Sequence, residues 1–259
     1  MCICPVYPNQ FLEQLAFKYG TDKSKDDHKY TDVYESLFAS IRENIFNVTE
    51  VGIAAGQSLQ VWNSFFPNAN IFGLDKEFHP KVFKNLQKYP RIHLLECNAY
   101  SKRKVAKINF SPNSMDLIID DALHERKRNE QMLSIFFKYV KPNGYYVIED
   151  IDAQRGGLAF QSAPEQLMEE TTRILQDNQV MFIDAHVGHR DWKNFKIANT
   201  PDYTKDHVVH NSYMLVIRKR DDSPSHAIQI NNGIGNFAMN PHKIVGVTKR
   251  QGSEIDSMP

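Results

Sequence analysis

The stretch MDLIIDDALHE, Met115 to Glu125, sets the reading of the whole chain. Four apolar residues, interrupted by Asp116, read as a strand buried on both faces. The strand then ends in two adjacent aspartates, Asp120 and Asp121, with His124 three places further on. Two like charges at the tip of a buried strand repel one another and resist desolvation. A cation, a ligand or open solvent must offset that cost.

The same kind of run recurs from residue 47 onward. VTEVGI, ANIFGLD, RIHLLEC, MDLIIDD, GYYVIED, QVMFIDAH and SYMLVIRK alternate with amphipathic segments such as SLQVWNSFF, KVFKNLQKY and EQMLSIFFKYV. This alternation predicts an α/β fold with a doubly wound, mostly parallel sheet. The connection 187–211 is too polar and broken for a clear helix, so an antiparallel final strand is expected. Residues 1–46 read as a helical N-terminal segment, with two helical patches around a polar loop. Residues 47–220 read as the main domain. Residues 221–259, rich in Gly, Asn and Pro, read as an appendage.

Lys+Arg and Asp+Glu both number 31 in the 259 residues, so bulk charge points to neither a nucleic-acid nor a membrane partner. Cys2, Cys4 and Cys97 make no disulfide framework or zinc site. The N-terminus MCICPVYPNQ lacks the apolar core of a signal peptide, and no run approaches a membrane span. A soluble, cytoplasmic protein is expected.

Ligands of an open parallel sheet gather at the carboxyl ends of its strands. The first run ends in EVGIAAGQS, placing Glu50, Gly52 and Gly56 at a turn before a helix N-terminus. The middle glycine of the nicotinamide fingerprint G-x-G-x-x-G is missing, which disfavours an oxidoreductase. The second run ends in Asp75, suited to a ribose diol. An acidic glycine turn followed by an acid at the next strand end points to S-adenosylmethionine. Asn98, after the third run, is an adenine candidate or a turn-closing residue.

Asp120 and Asp121 end the fourth run, and Glu149 and Asp150 end the fifth. Adjacent strands would bring these four carboxylates together. Asp121, Glu149 and Asp150 suit a hard divalent ion such as Mg²⁺, with solvated strand-end acids as the plainer alternative. His124, one short turn beyond, suits a general base toward an acceptor hydroxyl.

Taken together, KYGTDKS (18–24), HKYTDVYESLF (28–38), EVGIAAGQSLQVWNSFFPNANIFGLD (50–75), DLIIDDALH (116–124) and KPNGYYVIED (141–150) resemble a known family. It is the class I S-adenosylmethionine-dependent O-methyltransferases that methylate sugar hydroxyls, typified by the macrolide deoxysugar enzymes. The resemblance covers residues 10–220. It implies a seven-stranded Rossmann-like sheet, S-adenosylmethionine as methyl donor and Mg²⁺ or another divalent cation. By motif position it implies Asp121, Glu149 and Asp150 as metal ligands and His124 as catalytic base. Glu50, Gly52, Gly56 and Asp75 match the cofactor loop and ribose acid, while Asn98 and Asp120 complete the expected cofactor site. The polar loop after residue 19 is expected to fold over the cofactor, with Thr21, Asp22, Lys23, His28 and Tyr30 as contacts. The family writes D-D-G-S-H where this chain has Ala122 and Leu123, which affects the local turn but not the ligands.

His186, His189, His207 and His210 flank the expected acceptor region, and Trp192 and Tyr213 are candidates for stacking on a sugar face. The function expected is metal-dependent O-methylation of a sugar or glycan hydroxyl, with a homo-oligomer left open. The alternatives are a catechol or other small diol as acceptor, and a non-catalytic binding protein of methyltransferase-like fold.

Overall fold

The computed structural model describes residues 11–25, 27–152, 156–185 and 213–221. Seven strands form one sheet: β1 (Asn47–Val51), β2 (Asn70–Asp75), β3 (Ile92–Glu96), β4 (Met115–Asp120), β5 (Val140–Ile151), β6 (Gln179–Asp184) and β7 (Tyr213–Arg218). Their spatial order is β3-β2-β1-β4-β5-β7-β6. The first five strands are parallel neighbours, and β7 runs antiparallel between β5 and β6. The expected antiparallel final strand is thus present, but it is inserted inside the sheet. Strand order reverses between β1 and β4, the place where an open α/β sheet leaves a crevice.

Eight α-helices accompany the described sheet: α1 (Phe11–Tyr19), α2 (Tyr30–Phe38), α3 (Gln57–Phe65), α4 (Lys81–Leu86), α5 (Lys102–Ala106), α6 (Arg126–Phe136), α7 (Ala159–Ser162) and α8 (Glu169–Asp177). Among the described residues, no helix is long and apolar enough to cross a membrane.

Side-chain alternation along the strands assigns each residue a face. Leu117 and Ile119 of β4 and Val147 of β5 share a core with α1, α2 and α3, whereas Ile118, Tyr146 and Ile148 pack with α6 on the opposite face. The first face is strongly aromatic. Tyr34 lies 4.8 Å from Trp62, and Phe38 lies 5.0 Å from Tyr145 and 5.8 Å from Phe66, ring centre to ring centre. This packing holds the N-terminal helices against the sheet and α3. Aromatic pairs of this kind contribute about 0.5–1.5 kcal/mol each beyond their burial.

The interior acid of β4 has its own local solution. Asp116 is buried at the opposite end of the strand from Asp120 and accepts hydrogen bonds from the backbone N–H groups of Phe46 (3.0 Å) and Asn47 (2.9 Å). Lys141 neutralises it. It anchors the start of β1 and takes no part in the strand-tip chemistry.

Candidate active site

Parity places Glu50, Asp121 and Glu149 on the sheet face that carries α3 and the N-terminal helices. Asp120 turns to the α6 face, where Asn129 donates to its Oδ2 at 3.1 Å. The two neighbouring aspartates therefore point apart, which reduces the repulsion expected of an adjacent pair. Burial pushes the Asp120 carboxyl up to about 7, against the stabilising Asn129 amide.

On the α3 face, Glu50 is fully buried, and its Oε2 accepts from Ser58 Oγ (2.8 Å) and Trp62 Nε1 (2.9 Å). Its other oxygen faces Lys23, which comes from the turn between α1 and α2. Lys23 Nζ lies 3.5 Å from Glu50 Oε1, donates to Asp121 Oδ2 at 2.7 Å, and also donates to Glu149 Oε2. Glu149 is fully buried too, and Tyr34 donates to its Oε1 at 2.5 Å. Burial depresses the Lys23 ammonium, but the Asp121, Glu149 and Glu50 carboxylates outweigh it and hold Lys23 well above the usual lysine range. Lys23 stays charged. Burial raises the acids in turn: Glu50 goes to about 7 and Glu149 well above the carboxylate range, with Lys23 pulling each of them back.

Asp150 reaches the same region by a backbone irregularity. On a regular strand it would point to the α6 face, opposite Glu149. The β5–β7 register shifts between Ile148 and Ile151, and Asp150 adopts a left-handed φ of 49°. A bulge of this kind re-aims a side chain. Tyr30 donates to Asp150 Oδ1 at 2.5 Å, and the Asp150 N–H donates back to the Tyr30 hydroxyl at 3.1 Å. His28, stacked on Tyr30, places Nδ1 3.2 Å from Asp150 Oδ1. From the β4–α6 turn, His124 Nε2 lies 3.8 Å from Asp150 Oδ2. His124 is the left-handed residue of that turn, with φ 52°, and Ala122 has no positive φ, so the turn does not require glycine at that position.

The donor set meets the demands of a divalent cation. One atom each from Asp121, His124 and Asp150 lies within 4.8 Å of the others, and all three residues are partly exposed. His124 Nδ1 is buried and has no hydrogen-bond partner among the described residues. Lys23 meets three carboxylates (Glu50, Asp121 and Glu149), while Asp150 faces His28 and His124, an acid-rich cluster whose mutual repulsion a hard cation would offset. Glu149 is not part of this converging group: it is fully buried, and both its oxygens accept hydrogen bonds from the N-terminal segment.

The remaining candidates lie along the β1–α3 crevice. Gly52 has φ 86°, and a Cβ there would come 2.1 Å from the backbone oxygen of Asp121. Its freedom from a side chain lets the β1 and β4 tips touch, a reason that sequence reading had assigned to a ligand. Gly56 has φ 81° and precedes α3, whose N-terminus has no side-chain cap. Its unsatisfied N–H groups and positive dipole end suit an anionic or polar ligand group. Asp75 is partly exposed and accepts from the N–H groups of Ile53 (3.2 Å) and Lys76 (2.7 Å). Asn98 is exposed and closes its own turn by accepting from the Tyr100 N–H at 3.0 Å. Thr21 is buried beside Asp22, at 3.4 Å, and the Tyr30 hydroxyl is engaged by Asp150. Tyr213 opens β7, 5.4 Å from Phe182. His186, His189, Trp192, His207 and His210 lie outside the described residues.

Two partners of the acids escaped the sequence reading. No motif in the sequence marks Tyr34, and the sequence presents Lys23 as a cofactor contact. The signal for Tyr34 was its i,i+4 spacing from Tyr30, which puts both hydroxyls on one helix face.

No family model matches the chain. Curated relatives do. The chain is 32% identical over 147 residues to the 8-demethyl-8-(2-methoxy-α-L-rhamnosyl)-tetracenomycin-C 3'-O-methyltransferase of Streptomyces olivaceus, covering 54% of this chain and 36% of that protein. It is 29% identical over 224 residues to the mycinamicin VI 2''-O-methyltransferase of Micromonospora griseorubida, covering 82% and 53%. The chain thus spans about half or less of the length of the curated relatives it matches. Among solved structures it is similar to the MycE methyltransferase of the mycinamicin pathway in complex with Mg and SAH. That likeness has a TM-score of 0.57 at 22% identity, over 83% of this chain and 55% of MycE. The chain therefore has the class I methyltransferase fold, and its sequence relatives are sugar O-methyltransferases of macrolide and tetracenomycin pathways.

Proposed function

We propose that this protein is a cytoplasmic S-adenosylmethionine-dependent, divalent-metal-dependent O-methyltransferase acting on a hydroxyl of a sugar or glycan. The observation that carries the proposal is the meeting of Asp121, His124 and Asp150 within 4.8 Å, at the strand ends beside the uncapped α3 N-terminus. The relatives add the chemistry, since they are named for transfer to rhamnosyl and macrolide sugar hydroxyls. In this reading Gly52, Gly56, Asp75 and Asn98 line the crevice for the methyl donor, with Glu50, Asp120, Thr21 and Tyr30 behind them. Asp121, Glu149 and Asp150 hold the cation. A carboxylate offers about four acceptor sites, so the bonds from Lys23 and Tyr34 leave Glu149 capacity to join.

Bound there, a divalent cation would lower the pKa of a hydroxyl it touched, and S-adenosylmethionine would supply the methyl group. The chain's own contribution is proton handling and alignment. His124 Nδ1 is buried, which leaves Nε2 to accept the acceptor's proton as oxygen attacks the methyl carbon. Asp150, facing Nε2, stabilises the imidazolium that results. The acids give the site an anionic character suited to a cationic sulfonium, and fixed alignment supplies much of the acceleration.

The test is incubation of purified protein with S-adenosylmethionine, Mg²⁺ and rhamnosylated or macrolide glycosides, followed by mass spectrometry. A gain of one methyl on the sugar supports the proposal. Transfer to catechols with none to glycosides would overturn the acceptor assignment.

A further inference from the structure

Each of the three acids proposed to hold the metal receives a side-chain hydrogen bond from one short N-terminal stretch. Lys23 donates to Asp121 and Glu149, Tyr34 to Glu149 and Tyr30 to Asp150. These contacts join residues 98 to 126 positions apart in sequence. The stretch is itself tied down. Thr31 N–H donates to the Lys23 carbonyl (3.1 Å), Lys29 N–H to Ser24 (2.8 Å) and His28 N–H to Asp22 (3.0 Å). Glu13 of α1 accepts from the Lys25 N–H (3.1 Å) and from Thr31 Oγ1 (2.5 Å).

Burial separates the two sides of the acid cluster. The Lys23 side chain is 3% exposed and meets the acids from the protein interior, whereas Asp121, His124 and Asp150 are 19%, 33% and 14% exposed. The ammonium therefore backs the cation-accessible side and does not fill it. It engages one oxygen of Asp121, leaving Oδ1 for the partly exposed side.

We infer that Lys23, with Tyr34, is a positioning residue for the metal: it fixes the carboxylates of Asp121 and Glu149 relative to each other from behind, so that metal binding and docking of the 20–34 segment are one coupled equilibrium. The inference rests on the metal-dependent reading above. Partners that orient ligating carboxylates from outside the coordination sphere are worth roughly 10–100-fold in metal affinity. An ammonium that merely competed with the metal would have the opposite effect on removal. By linkage, whatever the docked segment contributes to metal affinity the metal returns to the segment's docking.

The experiment is Mn²⁺ binding to the full chain, followed by calorimetry and by the electron paramagnetic resonance of free Mn²⁺, in wild type, Lys23→Met and Tyr34→Phe. Tyr34→Phe removes one hydroxyl and keeps the aromatic packing, so it decides the matter if Lys23→Met fails to fold. The expected result is affinity lower by roughly 10–100-fold in Lys23→Met and by a smaller factor in Tyr34→Phe. Mn²⁺ should also slow tryptic cleavage after Lys25 in wild type more than in either variant. Unchanged or tighter Mn²⁺ binding in the folded variants would overturn the inference and leave the metal reading intact. A wild-type chain that binds no Mn²⁺ would overturn the metal reading, and the inference with it.

Discussion

His124 and Asp150 face each other at 3.8 Å from two different strand ends, and both have left-handed backbones, at φ 52° and 49°. For residues other than glycine that conformation costs about 1–2 kcal/mol. Two such residues meeting at one point indicate strain held in place by the surrounding hydrogen bonds, which is characteristic of functional sites. His124→Gly is expected to relieve the backbone strain and stabilise the fold by about 1 kcal/mol. The same change should lower methyl transfer by roughly 10²–10⁴, the range for a lost general base. Thermal melts paired with turnover measurements test this. A variant that is both less stable and fully active would contradict the assignment on each count.

Asp121→Asn isolates charge from shape. The amide oxygen can still accept from Lys23, but the negative charge is lost. The Mg²⁺ concentration needed for half-maximal activity should rise by at least roughly tenfold, because hard cations depend on ligand charge. In the wild type, excess chelator should abolish transfer, and added Mg²⁺ should restore it. Full activity in chelator would leave the histidine as the sole activating group.

A change at Asp75 probes the other end of the crevice. Asp75→Ala should weaken S-adenosylhomocysteine binding by about 1–3 kcal/mol, the range for a hydrogen bond to a charged group. Calorimetry should show no binding of NAD to the wild type. Tight NAD binding without a response to S-adenosylhomocysteine would reject the cofactor assignment.

The two left-handed glycines Gly20 and Gly52 should respond differently to alanine. At Gly20, φ is 69° and a new Cβ would meet nothing within 4 Å, so only the conformational cost of about 1 kcal/mol applies. At Gly52 the Cβ would also strike the Asp121 carbonyl, which must then move. Gly52→Ala should cost about 3 kcal/mol or more, from conformation and steric displacement together. Denaturant unfolding of the pair separates the two effects.

The strand tips were legible because a doubly wound sheet fixes where its carboxyl ends lie. Once β4 and β5 are read as adjacent parallel strands, the proximity of their tips follows. The orientation of Asp150 was not legible, because it depends on a bulge that nothing in YYVIED announces. Nor was the role of Lys23, a lysine in a polar loop whose hydrogen-bond partners Asp121 and Glu149 are 98 and 126 residues away. The close approach of Gly52 to the Asp121 carbonyl was not legible either, since sequence cannot distinguish approach to a ligand from approach to another strand. Where β7 would sit was equally hidden. Alternating pattern reveals a strand and its buried faces, but the choice of edge or interior belongs to the pairing.

The placement of β7 also constrains the order in which the sheet can be completed. β6 precedes β7 in the chain yet has no pairing with β5, and the two are joined only through Tyr213–Arg218. During synthesis the edge of β5 that faces β7 stays open until β7 emerges. Unpaired edges of this kind are where partly folded chains associate. The two acids lie in the irregularity between Ile148 and Ile151, the residues that pair with Leu215 and Tyr213, so a ribosome-bound chain lacking β7 would hold most of the core while the backbone on both sides of the acids stayed unpaired on that edge.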